Sequence, residues 1–233
     1  YLSAVHNCHP NYSKALSEKR TLTYEDINRV FEMMEESKKY SFDRDYIESL
    51  YVEYLSRGDY ARKIDDKLCL AFLRKKIVII GSGRSAWSEK DKILDALNEE
   101  DTISISLNFD YSLLRTDYVF VSNLRRYEQL DKSLMPKAIV TSNIPATECF
   151  MKIDYKKYVC DIEYVHDNAM IMLVNFLITA GASAIYIAGV DGYLYSKNNY
   201  IFDNMDISIS EELCDQINNG LREFIAQKKH DID

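Results

Sequence analysis

The chain has 233 residues, 47% of them hydrophobic and 28% charged, a composition that fits one large or two small globular domains. No apolar run is long enough to span a bilayer, so no membrane partner is expected. The net charge of −8 belongs entirely to residues 76–233, which carry 16 basic and 24 acidic side chains; this argues against a footprint on a nucleic-acid backbone.

The first residue is Tyr1 and no secretory leader pattern follows, so a piece of a longer protein is expected. The cysteines, Cys8, Cys69, Cys149, Cys160 and Cys214, are scattered and form no Cys-x-x-Cys pair. Free thiols in a reducing cytoplasm are the expectation.

Residues 1–75 read as a small helical unit. His6, Cys8 and His9 offer three possible metal ligands, but Cys8 and His9 are adjacent and no second cluster completes a usual spacing. No metal is expected. Thr23 with Asp26 makes a capping signal, and Ile27, Val30, Phe31 and Met34 then fall on one helical face. A second helix starts near Asp43, carries Tyr46, Ile47, Leu50, Tyr51, Tyr54 and Leu55, and stops at Gly58. Its tyrosine stripe suits a helix–helix interface, including one in a homo-oligomer. Asp65–Arg74 reads as a third helix leading into a strand.

From Lys76 onward, strand and helix patterns alternate. Strands are expected at Ile77–Ile80, Thr102–Leu107, Tyr118–Val121, Lys137–Thr141 and Ala184–Ala188. Helices are expected at Trp87–Asn98, at Asn168–Ala180 and within Ile207–Gln227. Such repeated units imply an α/β fold, a Rossmann-like, doubly wound, mainly parallel sheet. The domains would be 1–75, helical, and 76–233, Rossmann-like.

The strand ends carry the candidate site. KIVIIGSGRS at 76–85 is an apolar strand stopping at a Gly-Ser-Gly turn. Gly81 and Gly83 allow a tight turn and close approach of a ligand, and the amides of Ser82–Ser85 suit an anion. The third glycine of a dinucleotide fingerprint and the Gly-Lys-Ser/Thr of a P-loop are both absent, so a tight turn without ligand is the alternative. The other strands end at Asn108, at Ser122-Asn123, at Ser142-Asn143 and at Asp191. In an open α/β sheet these ends share one edge, where Asn and Ser could bind sugar hydroxyls or base edges; singly, each also suits a turn.

Arg125-Arg126 could meet a phosphate or carboxylate. Asp191 could take a ribose hydroxyl or a metal. His166 and Asp203 are the candidates for general acid or base chemistry, and Asp203 and Asp206 lie in a segment, Tyr200–Ile207, that could cover the cleft. Neither Gly-x-Ser-x-Gly nor His-Glu-x-x-His occurs.

Two resemblances bear on function. The stretches HNCHPNYSKAL, TLTYEDINRVF, FDRDYIESLYVEYL, KIVIIGSGRS, SISLNFDY, DYVFVSNLRRYEQL, TSNI and IYIAGVDGY together resemble the C-terminal region of bacterial aldolase-like proteins related to 4-hydroxy-2-oxovalerate aldolase and HMG-CoA lyase. That resemblance implies a parent lyase whose barrel, with its catalytic residues, lies upstream and is this chain's partner. Lys76 to about Asn204 is also similar to small bacterial sialyltransferases that use CMP-sialic acid. The match rests on Gly81-Ser-Gly83-Arg-Ser85, on Asn108 and Asn123, on Asn168–Asp191, and on Asn199-Tyr-Ile-Phe-Asp203. It implies a nucleotide or nucleotide-sugar ligand. The histidine that family places after the Phe-Asp segment has no counterpart here before His230.

The leading expectation is an accessory domain of an aldolase-like enzyme. Gly81, Ser82, Gly83 and Ser85 would hold phosphate, and Asn108, Asn123, Arg125, Ser142, Asn143 and Asp191 would complete the site. A glycosyltransferase-like enzyme and a ligand-free docking module are the alternatives.

Overall fold

The computed structural model describes Glu25 and residues 70–111, 114–142, 144, 146–195, 200–201 and 211–229. The helices expected between residues 1 and 69, and the His6–His9 cluster, lie outside the described residues.

Six strands form one sheet: β1 (Lys76–Ile80), β2 (Thr102–Leu107), β3 (Tyr118–Val121), β4 (Ala138–Thr141), β5 (Met151–Ile153) and β6 (Ala184–Ala188). Every neighbouring pair is parallel, and the order is β5-β4-β3-β2-β1-β6. The helices are α1 (Ser85–Ser88), α2 (Lys90–Leu97), α3 (Leu124–Glu128), α4 (Tyr155–Tyr158), α5 (Ala169–Thr179) and α6 (Glu211–Gln227). The fold is α/β and Rossmann-like, as the strand–helix alternation implied.

Connectivity decides where a ligand can enter. From β1 the chain steps outward strand by strand to β5. Helix α5 then leads back to β6, which pairs with the other side of β1 from Lys76↔Ala184 to Ile80↔Ala188. The direction of winding therefore reverses between β1 and β6. At such a switch point, the loops leaving the two carboxyl ends separate and open a crevice.

Burial explains the sequence pattern. β1 alternates, sending Ile77 and Ile79 into the larger core and Val78 and Ile80 into a smaller one with Ala86, Ile93 and Leu97. Both faces are covered, so the strand reads as a continuous apolar run. Helix α5 buries seven of its eleven residues, which accounts for its apolar character all round. β2 breaks the pattern with Ser104 and Ser106, both fully buried. Ser104 donates from its amide and its hydroxyl to Asp117, at 2.9 Å each, and Ser106 donates to the Phe109 carbonyl. Each buried hydroxyl is thus satisfied.

Three boundaries differ from expectation. Strand β5 was not foreseen: its three residues, Met-Lys-Ile, make no apolar run and gain their identity by pairing Ile139↔Met151 and Thr141↔Ile153. Lys137 belongs to a 3-10 turn, Met135–Lys137, begun by Pro136, rather than to β4. The single helix expected over Trp87–Asn98 is two, parted at Glu89.

Candidate functional site

A crevice lies at the switch point between β1 and β6. It encloses about 530 Å³, including space open to solvent. Its floor is the Gly81–Gly83 turn and the loop Gly189–Tyr193 after β6; Asn108 ends β2 at one side, and residues 168–170 bring the start of α5 to another. Tyr200 lines it too, and the Ile201 amide donates to the Ser82 carbonyl at 3.0 Å, which ties this segment over the first turn.

The glycines serve contact between the two loops. A Cβ on Gly81 would stand 2.3 Å from the Gly189 carbonyl oxygen, and one on Gly189 would stand 2.4 Å from that of Gly81. Gly189 also has a φ of +68°, a region that glycine enters without steric cost. At Gly83 a Cβ would meet the Asp191 carboxylate at 2.7 Å. The close approach that these glycines permit is therefore filled, in large part, by the chain's own second loop.

Asp191 is the centre of this contact. Its carboxylate accepts the Ser85 amide at 2.8 Å and the Ser85 hydroxyl as well. Two donors expected to meet a phosphate are thus held by an internal anion. Asp191 is the one charged side chain among the described residues lining the crevice. Burial, with the nearby Asp191 charge adding to it, pushes the Tyr111 hydroxyl up to about 12.

Asn108 has a φ of 68°, which asparagine tolerates better than most residues, and its amide donates to the Phe120 carbonyl at 2.9 Å. Its side-chain oxygen is shut off from solvent and has no hydrogen-bond partner. The residue lines the crevice, while this oxygen points away from open space.

Two asparagines fix the remaining walls. Asn168 caps α5 by accepting the Met170 amide at 3.0 Å. Asn218 on α6 holds the loop after β6, accepting the Tyr193 amide and donating to the Tyr193 carbonyl, both at 2.7 Å. Tyr193 in turn meets Tyr200 edge to face at 6.3 Å.

Of the residues singled out from sequence, Gly81, Ser82, Gly83, Asn108 and Asp191 come together at the crevice, with Ser85 bonded to its edge. Asn123 and Ser142 do not line it. The Asn123 side chain accepts the Arg126 amide at 3.4 Å at the start of α3, and the Ser142 hydroxyl accepts the Tyr155 amide at 3.1 Å. His166 does not line it either. It is 1% exposed, with Nδ1 3.0 Å from the Cys160 carbonyl oxygen. Its neighbour Asp167 is fully buried and accepts the Tyr155 hydroxyl at 2.7 Å. Asn143, Asp203, Asp206 and the side chain of Arg125 lie outside the described residues.

Tyr200 begins the segment expected to cover the cleft and lines it; Tyr193 and Leu221, which also line it, and Asn218, which holds Tyr193, were not identified from sequence. Tyr193 stands two residues beyond Asp191 on the same loop, a signal that was available. Leu221 and Asn218 sit on α6, and no local pattern sets them apart from its other core-facing residues. Among the described residues, no group of three His, Cys, Asp or Glu side chains gathers to hold a metal ion. No described helix is long and apolar enough to cross a membrane.

Fold and crevice define the class: a Rossmann-like α/β domain with an open cleft at its topological switch point. Compared with protein-family models and with curated proteins, the chain matches none.

Proposed function

We propose that the Rossmann-like part is a binding module whose switch-point crevice takes a nucleotide, a nucleotide sugar or a similar phosphorylated ligand. The observation that carries this is the convergence of the β1, β2 and β6 carboxyl ends with the start of α5 around one crevice. Ligands of open α/β sheets bind at this place. We further propose, on the sequence resemblance alone, that the module is a C-terminal accessory domain of an aldolase-like lyase, in contact with an upstream barrel.

A transferase acting on its own needs a proton acceptor facing the ligand. Among the described lining residues Asp191 is the only carboxylate, and it is engaged by Ser85. The binding-module reading is therefore preferred.

The test is thermal unfolding of the chain against nucleotides, nucleotide sugars, CoA and dinucleotides. A ligand at about 100 times its Kd stabilises by about 2.7 kcal/mol, or roughly 5–10 °C for a chain of this size. A shift confined to one nucleotide class supports the proposal. No shift with any compound favours a docking module.

A further inference from the structure

We infer that Asp191 closes the anion position at the glycine turn against phosphate, and that the crevice there selects a vicinal diol, the uncharged ribose or sugar ring of the ligand. This rests on the proposed nucleotide or nucleotide-sugar reading and narrows it.

In nucleotide sites of this architecture, the amides that follow the first glycine turn hold the pyrophosphate. Here the Ser85 amide and hydroxyl are both donated to Asp191. Gly83 packs so closely on the same carboxylate that a single added methyl would stand 2.7 Å from it. A phosphate brought to this turn would displace two hydrogen bonds and face a carboxylate of like sign. No described lining residue supplies a compensating cation.

What the crevice offers instead is acceptors. An ionised carboxylate has about four lone-pair positions. Ser85 uses two, one on each oxygen. The others can receive a pair of neighbouring hydroxyls. Acceptors of this kind complement hydroxyl donors and repel an anion. A phosphate carried by the same ligand then lies away from the glycine turn, and Asp191 acts as the specificity-determining residue.

The experiment is calorimetric titration of the full chain with the four common ribonucleosides, their 5′-monophosphates, the 2′,3′-dideoxy nucleosides and inorganic pyrophosphate. The nucleoside that binds should do so within about threefold of its monophosphate. Its dideoxy form should bind at least tenfold more weakly, and pyrophosphate should give no heat. Asp191→Asn, checked for folding by circular dichroism, should shift the preference toward the monophosphate by tenfold or more. The comparison within the unaltered chain stands even if that variant fails to fold. A monophosphate or pyrophosphate that binds more than tenfold tighter than the nucleoside overturns the inference and leaves the crevice reading intact. Equal binding of ribo- and dideoxy nucleosides overturns the diol assignment. Silence from every compound overturns this inference and leaves the crevice reading to be decided by the nucleotide sugars, CoA and dinucleotides of the thermal unfolding panel.

Discussion

At the scale of single residues, the crevice depends on positions where the chain touches itself. Gly81→Ala would press a methyl into the Gly189 carbonyl, a backbone atom that cannot swing aside. Overpacking of this kind costs about 1–3 kcal/mol, so urea unfolding should show a lowered midpoint at unchanged slope. Asn108→Gly separates shape from chemistry. Glycine accepts the positive φ, so stability should stay within about 1 kcal/mol, while ligand affinity falls with the lining side chain. Unchanged affinity would remove Asn108 from the site. Two buried groups set the alkaline limit. Burial raises the Cys160 thiol from 9.0 to about 11, and the Tyr111 hydroxyl from 10.0 to about 12. The folded chain keeps these protons longer than the unfolded chain, so the unfolded state binds fewer and stability falls as pH rises. The contribution of Cys160 is complete below pH 9 and is lost between there and about 11; that of Tyr111 is lost from 10 toward 12. Tm measured from pH 8 to 11 should decline, and Cys160→Ala should flatten the first part of the decline. Identical slopes would show that this thiol does not govern it.

At the scale of elements, α5 joins the fold to the site. Its apolar body anchors the core, and its first turn opens on the crevice. Asn168→Ala removes the cap on the Met170 amide and should cost about 1 kcal/mol in chemical unfolding. Because that turn lines the crevice, the same change should weaken ligand binding; a stability loss with binding intact would assign Asn168 to the helix alone. Helix α6 acts at a distance through Asn218, whose two hydrogen bonds fix Tyr193. The elements with the plainest patterns, β1 and α5, were legible because burial on all sides writes a long apolar run. β5 was not. Three residues carry no period, and they become a strand only because β4 offers an unpaired edge. The polar ends of β3 and β4 lie away from this crevice. Asn123 accepts an amide of its own turn, and Ser142 accepts the Tyr155 amide at the start of α4, beyond β5.

At the scale of the whole molecule, the net charge of −8 sets partners apart by sign. Duplex DNA should cause no mobility shift even at low salt; a salt-sensitive shift would contradict the reading of the charge distribution. The base of the sheet is tied to the chain that precedes it. The Arg74 amide donates to the Gly181 carbonyl and the Ser183 amide to that of Lys75, both at 2.8 Å, and Phe72 is fully buried against Tyr118 and Phe176. Residues 72–75, just before β1, are therefore part of the folded unit.

The amino-acid order by itself determined the class of fold, because apolar runs that alternate with amphipathic or wholly apolar helices can be buried only in a layered parallel sheet. It also marked the glycine turn, Asn108 and Asp191 as lying on the carboxyl edge of the sheet. Only the tertiary structure decided that β6 returns beside β1, since strand order depends on which edge is covered and not on any local pattern. That return brings Asp191, 106 residues distant in sequence, onto the amide of Ser85. A turn that reads as a phosphate cradle thus acquires its own carboxylate, through a contact between parts of the chain that no local pattern relates.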